Sequence, residues 1–136
     1  CCMTGSAIPV PQAVKQALDA GVPLERLTLS SDGNGSMPKF NENNELIGLT
    51  AAAPRYLYEE MLSIVKAGVL PFDKALQLIT CNVADALKLE DKGRIAVGKD
   101  ADLIVWNDDL TLNKVFARGR LMVDEVQAVV KGTFEN

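Results

Sequence analysis

Histidine is absent from all 136 residues. It is the side chain whose ordinary pKa lies nearest neutrality and the commonest metal ligand, so a Ser-His-Asp triad, a Cys-His dyad and the usual zinc sites cannot be built by this chain alone. Cysteine is scarce as well. Cys1, Cys2 and Cys81 are odd in number, include an adjacent pair and lack Cys-x-x-Cys spacing, which argues against a disulfide framework or a cysteine-zinc site. They read as small apolar residues in a reducing compartment. No apolar run approaches the roughly 18 residues of a membrane span, and no charged segment precedes an apolar one near the start, so a cytoplasmic location without a membrane partner is expected. Positive charge is not in excess either: 14 Lys+Arg against 18 Asp+Glu leave a net charge of −4. An isoelectric point near 4.8 gives no general electrostatic reason to bind phosphate backbones, and nucleic acid is excluded as an expected partner.

What is present is the composition of an ordinary soluble protein, 48% hydrophobic and 24% charged. The length suits one domain of about 100–150 residues but not a complete (β/α)8 barrel of about 250. Pro11 to Ala20 has helical spacing, with Ala13, Val14, Ala17 and Leu18 on one side and Gly21 as the stop. Leu24 to Ser30 alternates leucines with polar residues and is expected to be a strand. Ser30 to Gly48, rich in Gly, Asn, Ser and Asp, is expected to be one long loop, and long loops in compact proteins are usually functional or disordered. Three helical segments follow: Pro54 to Ala67, a stretch carrying Phe72, Ala75, Leu76 and Ile79, and a third capped by Thr80. From Gly93 onward, glycines punctuate the runs Leu103 to Trp106, Lys114 to Arg118, Leu121 to Val123 and Val126 to Val130, the texture of a small antiparallel β unit. The expected division is 1–90 for the helical portion with its loop at 30–48, and 91–136 for the β unit.

Chemistry is concentrated in Ser31-Asp32-Gly33-Asn34-Gly35-Ser36. Asp32 stands just beyond the expected strand, where α/β folds place their active-site residues. A carboxylate there could coordinate a cation and accept a proton from water, while Ser36 could hydrogen-bond a substrate carbonyl or carboxylate. The same residues also suit a plain turn, since Asp-Gly and Asn-Gly are turn dipeptides. Asp100 and Asp102 read as a turn feeding a strand, with their carboxylates on backbone amides, rather than as a cation pair. Lys114, Arg118 and Arg120 read as a solvated edge of the β unit.

Thr80-Cys81-Asn82-Val83-Ala84, then Lys92-Gly93-Arg94-Ile95, Gly98-Lys99-Asp100-Ala101-Asp102-Leu103-Ile104-Val105 and Val115 to Gly119 resemble the C-terminal signature of the amidohydrolase superfamily. Within it, Leu29 to Ser36 and the closing Val130-Lys131-Gly132-Thr133-Phe134-Glu135 resemble the isoaspartyl (β-aspartyl) dipeptidases, the likeness running from about Val10 to Glu135. The resemblance implies an α/β fold: the C-terminal part of a (β/α)8 metal-dependent hydrolase barrel, followed by a small antiparallel β unit. It implies that Asp32 is both a metal ligand and the catalytic base that passes a proton to the leaving amine. Ser36 would bind the aspartyl end of a β-aspartyl dipeptide. The family holds two metals, usually zinc, on an His-x-His pair, a carboxylated lysine and two further histidines, none of which has a counterpart here. The chain is therefore expected to be a C-terminal fragment of a metallo-dipeptidase, inactive and without zinc by itself and associating as a homo-oligomer. Two alternatives stand beside this: a fragment of another amidohydrolase, of dihydroorotase or allantoinase type, and a non-catalytic interaction domain.

Overall fold

The computed structural model describes residues 8–132. It divides into two units with the boundary between Lys88 and Leu89. Cys1, Cys2 and the end of the closing motif, Thr133 to Glu135, lie outside the described residues.

The first unit is built by apolar stripes. Helix α1 (Val10–Asp19) admits Pro11 in its first turn, where the missing N–H costs nothing, and buries Val10 and Val14. It stops where Gly21 takes φ +82°, with the Gly21 and Val22 amides donating to the carbonyls of Leu18 and Ala17. Helix α2 (Tyr56–Lys66) buries Met61 and Ile64 completely and ends the same way at Gly68, φ +67°. Helices α3 (Phe72–Gln77) and α4 (Cys81–Leu87) follow at once. Val10, Val14, Leu29, Met61, Ile64, Ala75 and Leu78 form one core in which α2 packs against both α1 and α3. Thr80 stands at the N-cap of α4 as expected, but its hydroxyl donates backward to Leu76 O at 2.8 Å and makes no cap.

Two expectations for this unit need correction. Leu24 to Ser30 is not a strand: Leu24–Arg26 close a 3-10 turn after Pro23, and the residues beyond run extended. A strand exists only through a ladder, and here the polar groups are engaged otherwise. Leu29 N–H donates to Leu78 O at 2.9 Å, and the Leu24 and Leu27 carbonyls accept from the Asn82 side chain. Nor is Ser30 to Gly48 a single loop. It contains strand β1 (Ser36–Phe40) and the start of β2 (Leu46–Ala51), paired antiparallel from Ser36 opposite Ala51 to Phe40 opposite Leu46. The polar run at 41–45 is only the hairpin's turn. Asn41 Oδ1 accepts the Asn43 and Glu45 amides, both at 2.9 Å, and Asn44 takes φ +60°.

The second unit is an antiparallel meander, β3 (Leu103–Trp106), β4 (Leu112–Ala117), β5 (Arg120–Asp124) and β6 (Gln127–Ala128), in that spatial order. The antiparallel β unit read from the sequence is thus observed. Of Lys114, Arg118 and Arg120, however, Lys114 does not lie on an edge. Lys114 lies in β4, flanked by β3 and β5, and pairs with Asp124 directly across the ladder. Arg120 opens β5 opposite Ala117, outside the pair Val123 and Asp124 that β6 covers, and is exposed as expected of an edge residue. Among the described residues, no helix is long and apolar enough to cross a membrane.

Candidate active site

The extended segment is anchored before it reaches the candidate residues. Leu29 is buried and bonded to Leu78, and Asn82 Nδ2 donates to Leu24 O at 2.7 Å and Leu27 O at 2.9 Å. Asn82 is 4% exposed and is the only buried polar side chain among the described residues. The chain then turns sharply. Ser31 Oγ accepts the Gly33 amide at 3.2 Å, and Asp32 O accepts the Gly35 amide at 2.8 Å. The Asn34 amide donates to Ala52 O and the Ala52 amide to Gly35 O, at 3.0 and 2.9 Å, so the turn is clamped to a residue 1% exposed at the far end of the hairpin. Asp32 sits at φ +47° and Asn34 at +64°, left-handed positions that Asp and Asn tolerate better than other L residues.

Asp32 is exposed at the head of this turn, and Ser36, also exposed, opens β1 at its other end. The structure thus brings both residues onto one clamped turn that follows an anchored extended segment. The carboxylate is presented on a fixed backbone to whatever occupies the space in front of it. Among the described residues, no three His, Cys, Asp or Glu side chains group closely enough to hold a metal ion. Zinc is held by three or four protein ligands, so Asp32 suits a position as one ligand and the described residues do not supply the others.

Reading the sequence for catalytic groups missed Asn82. Helical register did not mark it, because α3 ends at Gln77 and the backbone breaks at Thr80, φ −125° and ψ −95°, before α4 begins. A buried Asn must find partners, and these are the two carbonyls of the segment that leads to Asp32.

The second unit has an ionic cluster of a different kind. Lys92 Nζ lies 2.6 Å from Asp100 Oδ2 and 2.5 Å from Asp102 Oδ2, Asp102 Oδ1 accepts the Arg118 amide at 2.8 Å, and Arg118 Nε lies 3.3 Å from Asp100 Oδ2. Asp102 carries its carboxylate on a backbone amide as expected, although the amide is that of Arg118, whereas Asp100 pairs with the Lys92 and Arg118 side chains instead. The Lys92 ammonium holds the Asp100 and Asp102 carboxyls below their usual range, and the two carboxylates raise the lysine in return. The aspartates therefore contribute stability that is complete above an ordinary aspartate pKa of about 3.9 and lost as pH falls through their lowered values; the lysine's contribution is lost as pH rises through its raised one. The groups are solvated, so salt screens the effect. The urea midpoint of the β unit, followed by the chain's single Trp, Trp106, is expected to fall below about pH 4 at low salt, and Lys92→Gln is expected to flatten that slope. An unchanged acid slope in the variant would remove the cluster from the account.

An anchored extended segment ending in an exposed carboxylate, a packed set of helices and, later in sequence, a separate antiparallel sheet agree with part of a barrel-type α/β hydrolase. The chain belongs to the amidohydrolase family, which it matches over residues 8–133. Among solved structures it is similar to the β-aspartyl dipeptidase of Fervidobacterium islandicum AW-1 in complex with a β-Asp-Leu dipeptide, with 30% identity and a TM-score of 0.75, covering 90% of this chain and 32% of that one. Among curated proteins it is 36% identical over 92 residues to an imidazolonepropionase of Anaeromyxobacter sp. (strain K), covering 68% of this chain and 18% of that protein. It is also 27% identical over 104 residues to adenine deaminase 1 of Carboxydothermus hydrogenoformans, covering 75% of this chain and 17% of the relative. The chain thus spans under a fifth of these two curated relatives and about a third of the dipeptidase. The expected fold, part of a (β/α)8 hydrolase barrel followed by an antiparallel β unit, agrees with these likenesses.

Proposed function

We propose that this chain is the C-terminal portion of a metal-dependent, cytoplasmic, homo-oligomeric dipeptidase that hydrolyses β-aspartyl dipeptides. The observation that carries the reading is the likeness to a β-aspartyl dipeptidase solved with its dipeptide, 30% identical across 90% of this chain. In this reading Asp32 would be one ligand of a zinc centre whose other ligands would come from the rest of the protein, and the metal would supply Lewis-acid polarisation of the amide carbonyl. Asp32 takes a proton from the attacking water and returns it to the leaving amine; Ser36 hydrogen-bonds the aspartyl end. By itself the 136-residue chain neither retains zinc nor turns over substrate. A second reading, that the parent acts on another substrate of the family, is favoured by the 36% identity to an imidazolonepropionase.

The two readings are separated by assaying the complete zinc-loaded hydrolase against β-Asp-Leu, imidazolonepropionate and adenine, with the 136-residue chain in parallel. Release of leucine by the complete protein alone is the expected result. Turnover of either other compound with no leucine release would replace the dipeptidase reading, and zinc-dependent leucine release by the short chain would overturn its assignment as an incomplete site.

A further inference from the structure

Gly33 and Gly35 stand in the turn that displays Asp32, yet neither takes a positive φ; the left-handed positions belong to Asp32 and Asn34. Backbone freedom therefore does not explain why position 35 lacks a side chain. Space does. A Cβ on Gly35 would stand 2.8 Å from Asp32 O and 3.0 Å from both Asp32 Cγ and Oδ2. A Cβ on Gly33 would instead point toward Ser31 Oγ at 3.2 Å and Pro54 Cγ at 3.4 Å.

We propose that Gly35 is a positioning residue for Asp32: its missing side chain is the space in which the carboxylate lies, and this fixes the direction in which the reactive oxygen faces. The functional consequence rests on the reading of Asp32 as the proton acceptor of the hydrolysis. The backbone around the contact is not free to yield. Gly35 N–H is bonded to Asp32 O, and Gly35 O and the Asn34 amide are both bonded to Ala52, a residue 1% exposed. A methyl group at 35 thus meets Asp32 O, which yields only if the clamped turn shifts, and a carboxylate that can rotate; both responses redirect the carboxylate. Ser36 follows directly on the hairpin strand, so the glycine lies between the two candidate site residues without contributing a group to either task.

The test has two parts, chosen so that the positioning and the reaction can fail separately. In the 136-residue chain, side-chain coupling constants of Asp32 are compared among the unaltered protein, Gly35→Ala and Gly33→Ala, with the amide resonances of α1 and α2 as the control for folding. Gly35→Ala is expected to change the Asp32 χ1 rotamer while Gly33→Ala leaves it alone. An unchanged rotamer in Gly35→Ala, or the same change in both variants, overturns the proposal. In the complete hydrolase, Gly35→Ala is expected to lower kcat by about 100-fold with KM within about threefold, and to cause no further loss in an Asp32→Asn background. Losses that multiply in the double variant also overturn it. If Asp32→Asn alone leaves kcat unchanged, the functional reading of Asp32 fails, and the rotamer comparison still decides what Gly35 does.

Discussion

Exchange of Asp32 for Asn in the complete hydrolase is expected to lower kcat for a β-aspartyl dipeptide by about 10² to 10⁴-fold, the usual contribution of a positioned general base, with KM changed by less than about threefold. The choice of replacement follows from the backbone. Asp32 holds φ +47°, where Asn is tolerated nearly as well as Asp but Ala is strained, so Asn leaves the turn and its clamp to Ala52 intact. Volume and hydrogen-bond reach are preserved as well. What disappears is the ability to take a proton and the charge offered to a metal. Measuring zinc content alongside kcat separates the two losses: a zinc-loaded Asp32→Asn protein that is still slow assigns the defect to proton transfer. A kcat within about threefold of the unaltered enzyme would show that Asp32 is a turn residue and nothing more, the other meaning its sequence allows.

The sequence made the helices legible because their apolar spacing and terminal glycines agree: Val14, Met61 and Ile64 are buried where the 3.6-residue period puts them. The β unit was legible for a similar reason, in short β-rich runs separated by glycines. The hairpin was not. Phe40, Leu46, Ile47 and Leu49 are each more than half exposed, and Pro38 and Gly48 interrupt the strands, so neither burial nor propensity left a pattern; the Asn41 side chain and the Ala52 clamp organise the segment instead. The extended segment was misread in the opposite direction. Its leucine alternation is that of a strand, but side-chain and helix-end partners carry its hydrogen bonds. Asp32 could be placed at the head of a turn from its neighbours in sequence. That Gly35 gives it room could not, because the contact depends on φ values at Asp32 and Asn34 that the glycines themselves would have been expected to take.

The largest effect on folding is expected at Asn82. Its amide donates to two carbonyls of the segment leading to Asp32 and is nearly sealed from solvent. Asn82→Ala leaves those carbonyls without this donor in a place where water does not readily replace it; Leu24 O keeps the Leu27 amide, while Leu27 O is left the poorer. At about 1–3 kcal/mol for a buried group so orphaned, a loss of about 2–3 kcal/mol is expected, or roughly 10–20 °C in the melting temperature of a unit this size. Far-UV circular dichroism reads this directly, because all four helices of the described residues precede Leu89. Asn82→Asp distinguishes hydrogen bonding from packing. It conserves volume but sets a carboxylate against two carbonyl oxygens, which together with burial raises its folded-state pKa. An acid whose folded pKa is raised binds its proton on folding, so this variant should be less stable than Asn82→Ala near neutrality and regain stability as pH falls through that raised value, once the protonated group can donate one bond again. If the aspartate variant melts like the unaltered protein at every pH and only the alanine variant loses stability, Asn82 serves only to fill space. If the aspartate recovers in acid and the alanine does not, the bonds to Leu24 and Leu27 are what hold the segment that carries Asp32.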